Sequence, residues 1–112
     1  MDLKYIIIPL FLLFIGRSIY AQSQYRQVVT QFEKSNPQMI DVRTPEEFHS
    51  GHNKNSINIP LDQLLKNLDK IDKKRPVLLV CRSGNRSGMA QKILKENGFS
   101  NVHNAGPWGN LP

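Results

Sequence analysis

Four consecutive apolar residues, Val77-Leu78-Leu79-Val80, run straight into Cys81-Arg82-Ser83-Gly84-Asn85-Arg86-Ser87, and a helical stripe of Met89, Ala90, Ile93 and Leu94 follows at once. A short unbroken apolar run is the pattern of a strand buried on both faces, as in parallel sheets covered on each side. A strand that passes directly into a helix is the first half of a parallel crossover. This one segment therefore demands a sheet with helices on both faces, and the rest of the chain must supply them.

The flanking segments do so. Tyr25 to Lys34 carries Val28, Val29 and Phe32 at helical spacing and is stopped by Ser35-Asn36-Pro37. Gln38 to Val42 is a short β-prone run. Thr44-Pro45-Glu46-Glu47 has the form of a capping box, with Pro at the first helical position, so a short helix should run to about Gly51. Ser56 to Ile59 alternates and reads as a strand. Leu61, Leu64, Leu65, Leu68 and Ile71 predict an amphipathic α-helix. The stripe after Ser87 closes at Asn97-Gly98. Asn101 to Asn104 is a last short strand, and Ala105 to Gly109 reads as a turn. Strands alternating with helices define an α/β domain with a central, mainly parallel sheet.

The N-terminus has a different character. Lys4 precedes Tyr5 to Ile15, eleven residues without a charge, and Gly16-Arg17 leads to Ala21 before Gln22. A short positive start, a short apolar core and a small residue at its end describe a secretory signal. The run is shorter than the ~20 residues a stable bilayer span needs. Residues 1–21 are therefore expected to be a signal peptide that is removed, and residues 22–112 a single domain. That places the protein outside the cytoplasm, in the periplasm of a double-membrane bacterium or secreted otherwise.

Composition narrows the function. Lys and Arg number 15 against 9 Asp and Glu, a formal net charge of +6. The basic residues around Lys66 to Arg75 are interleaved with Asp62, Asp69 and Asp72, which describes a solvated face. The aromatics are scattered rather than set along a basic stripe, so nucleic-acid binding is not expected. One cysteine, Cys81, excludes an intrachain disulfide and a cysteine-rich zinc module. His49 and His52 are three apart, but no third ligand lies nearby, and no metal is expected. No nucleotide-binding glycine loop is present, and no organic cofactor is implied.

The chemistry gathers at Cys81. It stands at the carboxyl end of a strand, where open α/β sheets bind ligands. Gly84 can adopt backbone angles closed to other residues. The loop can then turn several N–H groups toward one point and, with the following helix N-terminus, cradle an anion. Arg82 and Arg86 add permanent positive charge. A thiol in that field loses its proton more readily than free cysteine, near ~8.5. Three reaction classes suit it: sulfur transfer through a persulfide, phosphoester hydrolysis through a cysteinyl phosphate, and oxyanion reduction such as that of arsenate. Four residues separate Cys81 from Arg86, one fewer than in the cysteine-phosphatase signature. The tighter loop favours compact sulfane sulfur over tetrahedral phosphate. A phosphatase also needs a general acid, for which Asp41 is the best-placed candidate.

Several stretches together resemble the rhodanese (thiosulfate sulfurtransferase) family, and its small, exported, single-domain type in particular. They are Asp41-Val42-Arg43-Thr44-Pro45-Glu46-Glu47-Phe48, Gly51-His52, Ser56 to Leu61, Val80 to Ser87, and Gly98-Phe99 through Asn104-Ala105-Gly106. The resemblance covers about Gln38 to the end. It implies a central parallel sheet wrapped by helices, with Cys81 carrying the sulfane sulfur. It implies that the backbone from Arg82 through Ser83, Gly84, Asn85 and Arg86 to Ser87 holds the persulfide and the bound anion. Asp41, Arg43 and Glu47 become structural support, with Glu47 the expected partner of Arg43. The implied partners are a thiosulfate-like donor and a thiophilic acceptor, either cyanide or a thiol protein. The alternatives are a non-catalytic or carrier module of this family and, less favoured, the phosphatase or arsenate-reductase class. Asn53-Lys54-Asn55-Ser56 departs from the family's pattern after Gly-His, and Pro107 replaces a common glycine. Trp108 is expected as a lid or packing residue. The chain stops at Pro112, which predicts a site rim that is open or covered by a second subunit, in a monomer or weak dimer.

Overall fold

The computed structural model describes residues 1–112. Its elements in chain order are α1 (Lys4–Phe32), β1 (Gln38–Asp41), α2 (Pro45–Ser50), β2 (Ser56–Asn58), a 3-10 segment (Leu61–Lys70), β3 (Val77–Cys81), α3 (Asn85–Glu96), β4 (Val102–Pro107) and a 3-10 turn (Trp108–Asn110). The four strands form one sheet in the order β2-β1-β3-β4, all parallel. The α/β class and the central parallel sheet expected from the sequence are both present.

β3 is buried along its whole length because it pairs on both edges and is covered on both faces. Its side chains alternate between two cores. Val77, Leu79 and Cys81 join Ile40, Val42, Leu64, Ala90, Leu94 and Val102 on the face covered by α3 and the long 3-10 segment. Leu78 and Val80 join Val29, Ala105 and Leu111 under α1, with Phe32 and Trp108 at the margin. This alternation aims the Cys81 side chain toward α3.

Three sequence expectations change. Leu61–Lys70 is not a regular α-helix but two 3-10 pieces joined at Asn67 (φ −125°, ψ 22°). Leu61 and Leu64 are three apart, and so are Leu68 and Ile71, which suits a three-residue turn. The four-residue step from Leu64 to Leu68 is absorbed at Asn67. Leu65, counted in the apolar stripe, is left exposed.

The expected turn at Ala105 to Gly109 is instead strand as far as Pro107. Leu79 pairs with Asn104 and Val80 with Gly106, so Ala105 is the extra residue of a β-bulge. Gly106 adopts φ 73° to make it. A bulge and a turn both call for glycine here, so the local signal is the same for each.

Third, the apolar leader and the helical stripe from Tyr25 form one continuous helix, α1. All side chains of residues 1–20 are exposed, and packing begins at Ala21 and Gln22. Lys4–Phe32 is long and apolar enough to cross a membrane, a property it shares with signal sequences. The predicted capping box at α2 is present: Thr44 accepts from the Glu47 N–H, and the Glu47 carboxylate accepts from the Thr44 N–H.

Candidate active site

Cys81 is the last residue of β3, and α3 begins at Asn85 after a turn of three residues. Gly84 makes the turn possible at φ 104°, a conformation that costs other residues roughly 1–2 kcal/mol. The helix starts earlier than the loop reading placed it. Asn85, Arg86 and Ser87 form its first turn, where backbone N–H groups have no partner within the helix. Arg82, Ser83 and Asn85 are exposed, Arg86 is half-buried, and Gly84 and Ser87 are buried. The six residues named from the sequence therefore surround the thiol in two groups, an exposed lip and a buried floor.

The thiol is buried, with only 1% of Cys81 exposed. Its Sγ accepts the Gly84 N–H at 2.9 Å and lies 3.4 Å from Ser87 Oγ. Burial by itself pushes the thiol pKa up. Hydrogen bonds from the Ser87 hydroxyl and from the N–H groups of Ser87, Gly84 and Ser83 pull it down further than burial raises it. The net result is a thiol below its ordinary value, with donors already aimed at the anion.

Asn104, in the middle of β4, organises this floor; the sequence placed it in a stretch resembling the family but gave it no role at the site. Its Oδ1 accepts from the Gly106 N–H at 2.9 Å and lies 2.7 Å from Ser87 Oγ, whose single proton turns either to this oxygen or to the sulfur 3.4 Å away, while its Nδ2 donates to the Gly84 carbonyl at 3.0 Å. One amide thus ties together the bulge, the loop glycine and the serine beside the sulfur. The available signal was its place beside Gly106 at the end of the last expected strand, Asn101 to Asn104.

The supporting charges pair differently from the expectation. Arg43 is not the partner of Glu47. It turns back on Asp41, two residues away, with Nε at 2.9 Å and Nη2 at 2.8 Å from the carboxylate. Both side chains are buried, at 5% and 0% exposed. Arg43 also donates to the Gly51 carbonyl and lies 4.8 Å from the Trp108 ring centre. Trp108 is thus a packing residue on this buried cation. Both Asp41 carboxylate oxygens are engaged by Arg43, so this side chain is not free to serve as the general acid a phosphatase needs.

Glu47 instead takes Arg86 at 2.6 and 2.9 Å. Hydrogen bonding to Arg86, opposed by burial and assisted by Thr44, holds the Glu47 carboxyl at about 2. The same bonds raise Arg86 above its ordinary value. Arg86 is therefore a neutralised cation at the lip, and Arg82 alone there carries a charge with no acidic partner. His52 stacks on Phe48, and its Nδ1 lies 2.7 Å from the Phe48 carbonyl. No group of three potential metal ligands occurs.

The model of the Rhodanese-like domain matches residues 25–105. The chain belongs to the rhodanese family. An uncharacterized protein of Bacillus subtilis, YqhL, is 35% identical over 103 residues, covering 88% of this chain and 82% of its own. The thiosulfate sulfurtransferase PspE of Escherichia coli is 41% identical over 69 residues, covering 60% and 66%. A solved rhodanese with anions from E. coli superposes with a TM-score of 0.63 at 36% identity, covering 68% of this chain and 94% of that one. The superposition shows that this chain shares its fold with that rhodanese.

Proposed function

We propose that this rhodanese transfers sulfane sulfur from thiosulfate, or a similar anionic donor, through a persulfide on Cys81. The observation that carries the reading is the Cys81 sulfur held by the Gly84 N–H at 2.9 Å beside Ser87 Oγ, at the start of a helix. The thiolate attacks the outer sulfur of thiosulfate, and the bond between the two donor sulfurs breaks. Sulfite leaves with the electron pair, and Cys81 keeps one sulfur as Cys–S–S⁻. The donors that held the thiolate then face the persulfide anion. Arg82 draws the dianion toward the lip, and the N–H groups of Ser83 to Ser87 receive its oxygens. A thiophile takes the outer sulfur and returns the thiolate: cyanide gives thiocyanate, and a protein thiol is the cellular counterpart. This is covalent, two-stage catalysis and needs no cofactor.

The test is the intact mass of the purified protein after thiosulfate and then after cyanide. One added sulfur atom that cyanide removes, absent from Cys81→Ser, is the expected result. No added sulfur, with Cys81 labelled by arsenate or phosphoryl analogues instead, overturns it. We further read residues 1–21 as an export signal, so the working protein is extracytoplasmic and begins near Gln22. N-terminal sequencing of the cellular protein checks that boundary.

A further inference from the structure

We propose that Tyr25 is a positioning residue of the Cys81 site: its ring fills a slot between Gly84 and Gly106 and so holds the Gly84 N–H on the sulfur. Both glycines have left-handed backbones, φ 104° and 73°. A side-chain carbon on either would fall on the Tyr25 side chain, at the hydroxyl end for Gly84 and at the base of the ring for Gly106. One edge of the ring therefore lies flat along both backbones, in the space their missing side chains leave.

The two glycines are the ones that matter to the thiol. Gly84 donates to Cys81 Sγ at 2.9 Å, and its carbonyl accepts from Asn104 Nδ2 at 3.0 Å. Gly106 donates to Asn104 Oδ1, which also lies 2.7 Å from Ser87 Oγ. Asn104 holds the loop from the α3 side, and Tyr25 backs it from the α1 side. Without the ring, Gly84 regains the wide backbone freedom of glycine. Its N–H then points at the sulfur for only part of the time.

The ring itself is placed firmly. Four residues further along α1, Val29 is buried with Val80 and Ala105. One turn earlier, Gln22 Nε2 donates to Asn110 Oδ1 at 2.6 Å, and Asn110 donates to the Ala105 carbonyl. Residues 22–32 are thus a wall of the site and not only a lead-in to the domain.

The inference rests on Cys81 being the working nucleophile, but its readout is the ionisation of the thiol, which needs no sulfur donor. The pH titration of thiolate ultraviolet absorbance, with Cys81→Ser as the blank, is compared in four proteins. In Tyr25→Ala the midpoint should rise by about one pH unit, a tenfold loss of thiolate at fixed pH. Tyr25→Phe removes the hydroxyl nearest Gly84 but leaves ring carbons against both glycines, and should move the midpoint less than Tyr25→Ala does. Val29→Ala weakens the same helix and should lower the melting temperature without moving the midpoint. Should Tyr25→Ala not fold, Tyr25→Leu carries the same test with most of the apolar volume retained. An unmoved midpoint in the Ala or Leu variant, or an equal shift in Val29→Ala, overturns the proposal. Wild-type protein that takes no sulfur while Tyr25→Ala still shifts would remove the sulfurtransferase reading and leave this one standing.

Discussion

Glu47 and Arg86 are joined by two charge-assisted hydrogen bonds, 2.6 and 2.9 Å long, that tie the first turn of α2 to the first turn of α3. The pair brings a carboxylate to the lip of the proposed anion site, where it cancels one of the two arginines. Removing that negative charge should strengthen anion binding. In Glu47→Gln the thiosulfate KM should fall roughly two- to fivefold at low salt, and the gain should fade at high salt. A KM that rises would mean that Arg86 needs Glu47 for its placement more than it suffers from the lost charge.

The same pair makes a pH prediction. A carboxyl lowered from 4.5 to about 2 stabilises the fold above the ordinary value, and that contribution is lost as pH falls through the lower one. Solvent screening at this half-exposed position limits it to about 1 kcal/mol or less. Wild type and Glu47→Gln should therefore differ slightly in denaturant midpoint above pH 4.5 and converge toward pH 2. A difference that grows with acid would contradict the pairing.

The Ser87 hydroxyl is the strongest of the hydrogen bonds drawing the thiol pKa down. A thiol whose pKa is lowered stays ionised to a lower pH than a free cysteine and loses its reactivity as pH falls through its own midpoint. Ser87→Ala keeps the backbone donors and removes the hydroxyl, so the midpoint should move up by about one unit. Iodoacetamide labelling across pH measures it, and a tenfold slower reaction is expected below the wild-type midpoint.

Asp41 and Arg43 face the opposite regime, because both are buried. Asp41→Asn leaves a buried guanidinium without its counter-charge, which costs about 3–5 kcal/mol. A domain of this size holds only some 5–15 kcal/mol in all. Thermal melting should drop steeply or vanish. Pairing Asp41→Leu with Arg43→Met should restore part of the loss, since no uncompensated charge remains. A mild effect from Asp41→Asn alone would show that water reaches the pair.

Gly84→Ala tests the loop backbone. The φ of 104° opposes any side chain, and the added carbon would strike Tyr25. The expected cost is about 1–2 kcal/mol from the backbone alone, or roughly 5–15 °C in melting temperature. Sulfur loading should slow as well, because the displaced N–H is the one on the sulfur.

Much of this was legible in the sequence because it is local. The run Val77 to Val80 could be only a central strand. Thr44 to Glu47 could cap only a helix, and Cys81 stood at a strand end with glycine and helix start beside it. These features depend on neighbours within a turn or two. Period counting failed at Leu65 because a 3-10 turn and an α-helix share their first apolar steps. The bulge at Ala105 looked like a turn because both use the freedom of Gly106.

The α/β class, the place of Cys81 at a strand end and the tight loop after it all follow from the order of residues along the chain. Which side chain pairs with which depends on how the elements pack. Glu47 and Arg86 are 39 residues apart, and Asn104 meets Gly84 and Ser87 across 20 and 17. Tyr25 reaches the loop from another helix altogether. A short polar side chain forms a bond with whichever group the folded backbone brings within about 3 Å. That distance is set by strand order, register and one bulged residue, and no local pattern in the chain records it.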